Sequence, residues 1–180
     1  MNGNQYTMEY ASPLGPLTVA SDGESITGLW MKGQKYYAAT LGEHADDATP
    51  RVFADAAKWL DGYFAGEKPQ RSLPLAPKGS DFRQAVWDML CEIPYGEVTT
   101  YGEIARRMAL KTGRPTMSSQ AVGGAVGHNP ISIVIPCHRV VGANGSLTGY
   151  AGGIDKKISL LRLERVDTGR FFIPAKGTAL

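Results

Sequence analysis

Between residues 68 and 80 the chain carries Pro69, Pro74, Pro77 and Gly79. Proline has no backbone N–H and a locked φ, so this stretch can neither continue a helix nor sit inside a sheet. It reads as a linker and predicts two domains, 1–79 and 80–180. A chain of 180 residues is long enough for one ordinary domain or two small ones, each with a core. The halves also differ in charge. Residues 1–80 hold seven Lys/Arg against nine Asp/Glu, and residues 81–180 hold twelve against eight. The overall +2 therefore hides a basic second half, which points to an anionic partner there.

The first half opens on three short β-type runs, at 6–10, 17–20 and 26–30, separated by Pro, Gly and Asp turns. That is the pattern of an antiparallel meander. After Thr49-Pro50, the residues Val52, Phe53, Ala56, Ala57, Leu60 and Phe64 recur at helical spacing until Gly66 and Pro69 end the run. The half is thus a small sheet with a helix.

The second half is mostly helical. Ser80 caps a helix over 81–93 with Phe82, Ala85, Val86, Met89 and Leu90 on one face, and Pro94-Tyr95-Gly96 stops it. A second helix runs over 101–108. After a polar loop with Gly113, Arg114 and Pro115, Ser118-Ser119 caps a third over 120–127, built of Ala, Val and Gly. Two short helices joined by a loop fit a helix-turn-helix; on pattern alone, two ordinary packed helices fit better. Asn144-Gly145 suits a type I′ hairpin turn. Residues 148–153 form a Gly-rich loop without the Gly-Lys-Ser/Thr of a phosphate loop, so Tyr150 there is read as a face for a flat ligand. A last helix spans 155–166, with Lys156, Lys157, Arg162 and Arg165 on its surface. The fold class expected is α/β (α+β): an N-terminal antiparallel sheet-plus-helix domain, then a winged helix-turn-helix-like domain.

The chemistry concentrates at Ile133-Val134-Ile135-Pro136-Cys137-His138-Arg139. The branched aliphatic run predicts a short buried strand that Pro136 stops, leaving Cys137 at its end. His138 and Arg139 are the kind of neighbours that lower a thiol pKa and yield a nucleophile. The other cysteine, Cys91, lies on a helical apolar pattern and is read as core. With two cysteines in all and no CxxC or HExxH, neither a disulfide framework nor a metal site is expected. No apolar run approaches membrane-spanning length and no leader pattern precedes residue 12, so a cytoplasmic chain without a membrane partner is expected.

Asn129-Pro130, Ile135-Pro136-Cys137-His138-Arg139-Val140-Val141, Ser146-Leu147-Thr148-Gly149-Tyr150 and Leu160-Leu161-Arg162-Leu163-Glu164 together resemble the O6-alkylguanine-DNA alkyltransferases. The resemblance is strong over about residues 80–165 and implies a ribonuclease-H-like first domain. It implies DNA repair by irreversible transfer of an alkyl group from O6-alkylguanine, or O4-alkylthymine, to Cys137. His138 is then the base acting through a water, Glu164 its orienting carboxylate, Asn129 the tie to the third helix, and Tyr101 the donor to the leaving guanine. By the same resemblance Gln120, Ala121, Gly123, Arg139, Val140, Tyr150, Gly152 and Lys157 bind the DNA or the flipped base. Base flipping is needed because the reacting atom is buried in the duplex. No cofactor and no obligate protein partner are implied, and a one-shot reaction makes a monomer the simplest state.

Where the family usually reads Arg-Ala-Val-Gly, this chain has Gln120-Ala121-Val122-Gly123. A neutral Gln gives up the attraction of a guanidinium for phosphate and stack, and Arg114 is the expected substitute. Two other readings compete. A non-catalytic lesion sensor on the same fold would bind alkylated, double-stranded DNA without transfer, but Cys137 is present. A cysteine hydrolase would need a direct Cys137–His138 pair, which neighbours in an extended chain disfavour.

Overall fold

The structure, a computed structural model, describes residues 5–42, 45–46, 49–70 and 72–175. It is an α+β protein whose chain divides into two compact units. One comprises Met1–Lys78 with Pro130–Ser132, the other Gly79–Asn129 with Ile133–Leu180.

In the first unit, β1 (Gln5–Ser12), β2 (Gly15–Ser21) and β3 (Ile26–Met31) form the antiparallel meander that the turn residues predict. A short β4 (Ala45–Asp46) adds parallel to β1 and gives the order β3-β2-β1-β4; at two residues, it left no periodicity to read. Helix α1 (Arg51–Phe64) buries Val52, Phe53, Ala56, Leu60 and Tyr63 and meets β1 and β2. The outer edge of β3 is covered by two extended scraps of chain. Ile26 N–H donates to Pro74 O and its carbonyl accepts from Ala76. Leu29 pairs in the same way with Pro130 and Ser132. The stretch read as a linker thus pairs its middle onto an edge strand, satisfying groups that an open edge leaves exposed.

The second unit starts with α2 (Asp81–Cys91), where the Ser80 hydroxyl accepts from Arg83 N–H. Next come β5 (Thr99–Thr100), α3 (Tyr101–Thr112) and α4 (Ser119–Gly127), followed by β6 (Val140–Val141) and α5 (Ile154–Leu163). Helix α3 runs four residues past the predicted end, because Met108 and Ala109 continue its buried stripe and Gly113 closes it in the left-handed conformation. The Ser118 hydroxyl caps α4 through Ala121 N–H. The small residues of α4 sit close enough to α2 for the Trp87 indole to donate to Ala125 O at 2.8 Å. Val141, Leu147, Leu161 and Val166 form an apolar cluster, and β5 and β6 pair in parallel.

Four expectations are corrected. Residues 132–135 form a turn, not a strand: Ile133 is buried but left-handed, at φ 72°, so the aliphatic run signals burial alone. Cys91 is exposed, one position off the buried face made by Val86, Trp87, Met89 and Leu90. At 142–146 the turn has a positive φ at Gly145 but not at Asn144, whereas type I′ needs both. The last helix stops at Leu163, three residues short of the predicted end, and leaves Glu164 as its cap. Among the described residues, no helix is long and apolar enough to cross a membrane.

Candidate active site

Cys137 begins a single 3₁₀ turn, Cys137–Arg139, and is 5% exposed. Burial pushes its thiol pKa up, against the opposing pull of the Asn129 amide and the Lys157 ammonium. The thiol therefore rests protonated, contrary to the sequence expectation of a thiolate favoured by Arg139. The guanidinium of Arg139 is committed elsewhere. Its Nε and Nη2 donate to the Glu164 carboxylate at 2.8 and 3.0 Å and its Nη1 to Ile93 O at 2.6 Å, while its plane lies over the Tyr95 ring. The Arg139 side chain is thus held inside the protein by Glu164 and Ile93.

Glu164 is the hub of this cluster. His138 Nε2 lies 2.7 Å from its Oε1, and Gly96 N–H donates to its Oε2 at 3.2 Å. Gly96 has φ +82°, and a side chain there would press on the Glu164 carbonyl; the close approach needs glycine. Burial alone would raise the Glu164 carboxyl, but the bonds from His138 and Arg139 outweigh it and hold the pKa at about 2. His138, with no exposed surface, has its pKa lowered, first by that burial. An ionised carboxylate can only accept, so Nε2 carries the hydrogen and the neutral ring keeps its basic lone pair on Nδ1.

Asn129, just beyond α4, donates through Nδ2 to Ile135 O at 2.8 Å and also reaches the thiol. It thus joins the end of α4 to the turn that carries the cysteine. Lys157, expected on an exposed helix face, is completely buried. Its Nζ donates to Val140 O at 2.5 Å and Thr148 O at 2.8 Å, and burial holds its pKa at about 8. Tyr101, the first residue of α3, donates from Oη to the same Thr148 carbonyl at 3.1 Å; burial raises its pKa. Two side chains thus pin the start of the Gly-rich loop. Within that loop Gly152 is half-buried, and Tyr150 is 8% exposed with no hydrogen-bond partner for its hydroxyl among the described residues.

The structure brings together Cys137, His138, Glu164, Asn129, Tyr101, Val140, Tyr150 and Lys157. Gln120, Ala121 and Arg114 stand apart as an exposed group at the start of α4 and in the loop before it, while Gly123 is buried in α4. Sequence reasoning missed Gly96, Tyr95 and the Ile93 carbonyl. Their one signal was Pro94-Tyr95-Gly96, which reads only as a helix stop. The first unit has its own cavity of about 380 Å³ between α1 and residues 67–70 and 72–74, but among the described residues its lining holds no Cys or His.

A nucleophile embedded in a buried Cys-His-Glu series, beside a capped helix pair, can accept a group at sulfur and pass its proton to imidazole. Comparison with known proteins agrees with that chemistry. Residues 81–166 match the 6-O-methylguanine DNA methyltransferase, DNA binding domain, and residues 6–77 the ribonuclease-like domain of the same family. The methylated-DNA–protein-cysteine methyltransferase of Methanosarcina acetivorans is 45% identical over 160 residues, 88% of this chain and 97% of that protein. That of Haemophilus influenzae is 46% identical over 162 residues, 89% and 87% of the two. The crystal structure of Mycobacterium tuberculosis OGT in complex with DNA superposes with a TM-score of 0.73 at 44% identity, covering 96% of each chain. On these grounds the chain belongs to the 6-O-methylguanine DNA methyltransferase family.

Proposed function

We propose that this protein repairs alkylated DNA by moving the alkyl group of O6-alkylguanine onto Cys137 of its own chain, once and irreversibly. The observation that carries the reading is the buried Cys137 thiol, held by Asn129 and followed on the same turn by the Glu164-bound His138. Sulfur attacks the alkyl carbon, the carbon–O6 bond breaks, and its electron pair stays on the guanine. The thiol proton goes to His138 Nδ1 through a water, and the imidazolium so formed is stabilised by Glu164. Tyr101 Oη, turning its one hydrogen from the Thr148 carbonyl to the base, gives a hydrogen bond that stabilises the charge developing on the leaving guanine.

Because burial keeps the resting thiol protonated, deprotonation belongs to the reaction itself and the free protein is guarded against stray alkylators. Lys157 serves as a positioning residue that fixes the carbonyls of Val140 and Thr148 beside the base pocket. Tyr150 and Gly152 form its wall. The first domain, about 1–79, acts as a scaffold and the second, about 80–180, as the DNA-binding alkyltransferase domain. The thioether product has no good leaving group, so the reaction is stoichiometric.

Intact mass after incubation with a duplex containing O6-methylguanine tests the proposal. One methylene mass per chain is expected, lost in Cys137→Ala and kept in Cys91→Ala. No adduct with retained binding to the lesion would replace repair by sensing.

A further inference from the structure

Between the outer face of α3 and the loop that leads to α4 lies a cleft of about 280 Å³. Its floor is aliphatic, made by the buried Ala105 and Ala109, and Leu110, Met117, Arg106 and Arg114 also line it. Leu110 is 70% exposed, an unusual place for a large apolar side chain beside two cations. The surrounding stretch 101–118 has four Lys/Arg and one acid. Arg107 is paired with Glu92, and Arg106 gives its Nε and Nη2 to Glu103, leaving Nη1. Arg114 is exposed and has no carboxylate partner among the described residues. Ser119, in the first turn of α4, lies on the cleft wall. The cleft is therefore continuous with the helix start that carries Gln120.

We infer that this cleft seats one deoxyribose-phosphate of the DNA strand lying along α4. The inference rests on the repair reading above and extends the DNA footprint from α4 onto α3. The sugar packs on Leu110 and Met117, and the phosphate sits between the guanidiniums of Arg114 and Arg106, which are suited to bidentate phosphate contact. The floor has no aromatic ring on which a base would stack, which favours the backbone unit over a nucleobase. The exposed Arg106–Glu103 pair is weak and gives way at little cost. Such a contact holds any sequence equally, as a repair protein that scans DNA requires.

The test is duplex affinity against salt for the wild type, Arg114→Ala and Leu110→Asp, with adduct formation at Cys137 read in the same samples. Arg114→Ala should weaken binding several-fold and reduce the slope of log affinity on log salt by about one. Leu110→Asp should weaken it several-fold; this exposed position tolerates a polar residue without loss of fold. Wild-type affinity and slope in both variants would overturn the inference, whether or not adducts form. A salt-slope change without any adduct in the wild type would keep the cleft and reject the repair reading. Unchanged DNA affinity combined with loss of a concentration-dependent dimer would assign the cleft to a second copy of the chain, which also overturns it.

Discussion

Two regions of the second unit are built on opposite principles. Around Glu164, three charged or titratable side chains are withdrawn from water: His138 and Arg139, with the Gly96 amide, converge on the one carboxylate. At the start of α4, Gln120, Ala121 and Arg114 are exposed. The buried region can afford no substitution, since each group removed strands a partner in a medium that cannot solvate it. The exposed region tolerates exchange at fractions of that cost. Reaction chemistry is therefore held by burial, and affinity for DNA is tuned by residues that water already surrounds.

The largest effect that would test this contrast is Glu164→Gln. It leaves Arg139 as an unmatched buried cation and should cost about 3–5 kcal/mol, read as a lowered denaturation midpoint, together with loss of alkyl transfer. A loss below about 1 kcal/mol would place Glu164 with surface pairs. Next in size is the acid limb of stability. The Glu164 carboxyl is held at about 2 instead of the usual 4.5, so the folded state binds fewer protons than the unfolded one between these values. The stabilisation is complete above the ordinary carboxylate range and is lost as pH falls toward 2. Chemical denaturation from pH 5 to pH 2 should show this decline in the wild type and a shallower one in Glu164→Gln. The smallest change is Gln120→Arg, which adds an exposed cation to α4 and should tighten duplex binding a few-fold, with a steeper salt dependence. Equal affinities would mean that this helix start does not face the phosphates.

Much of this was legible in the sequence, for reasons that differ from residue to residue. Ser80 and Ser118 cap their helices through local bonds to the third residue beyond, and local chemistry survives in a linear reading. The meander was visible in its turns. The aliphatic run 133–135 was misread because apolar composition reports burial without backbone path. Lys157 was misjudged because its partners, two backbone carbonyls, have no sequence signature. Cys91 shows the converse: a residue can share a helical apolar pattern yet lie just past its buried arc.

Between two stretches of the second unit, the chain spends three residues, Pro130–Ser132, in the first. Leu29 receives them through its N–H and carbonyl, and Cys137 follows five residues after Ser132. A gene cut at residue 79 does not divide this protein into its two halves. The downstream fragment would keep a short piece of sheet edge with no strand to join, placed just before the nucleophile. Recombination that swaps the front half must therefore preserve the docking register at Leu29, which ties the inheritance of a scaffold strand to that of the reactive turn.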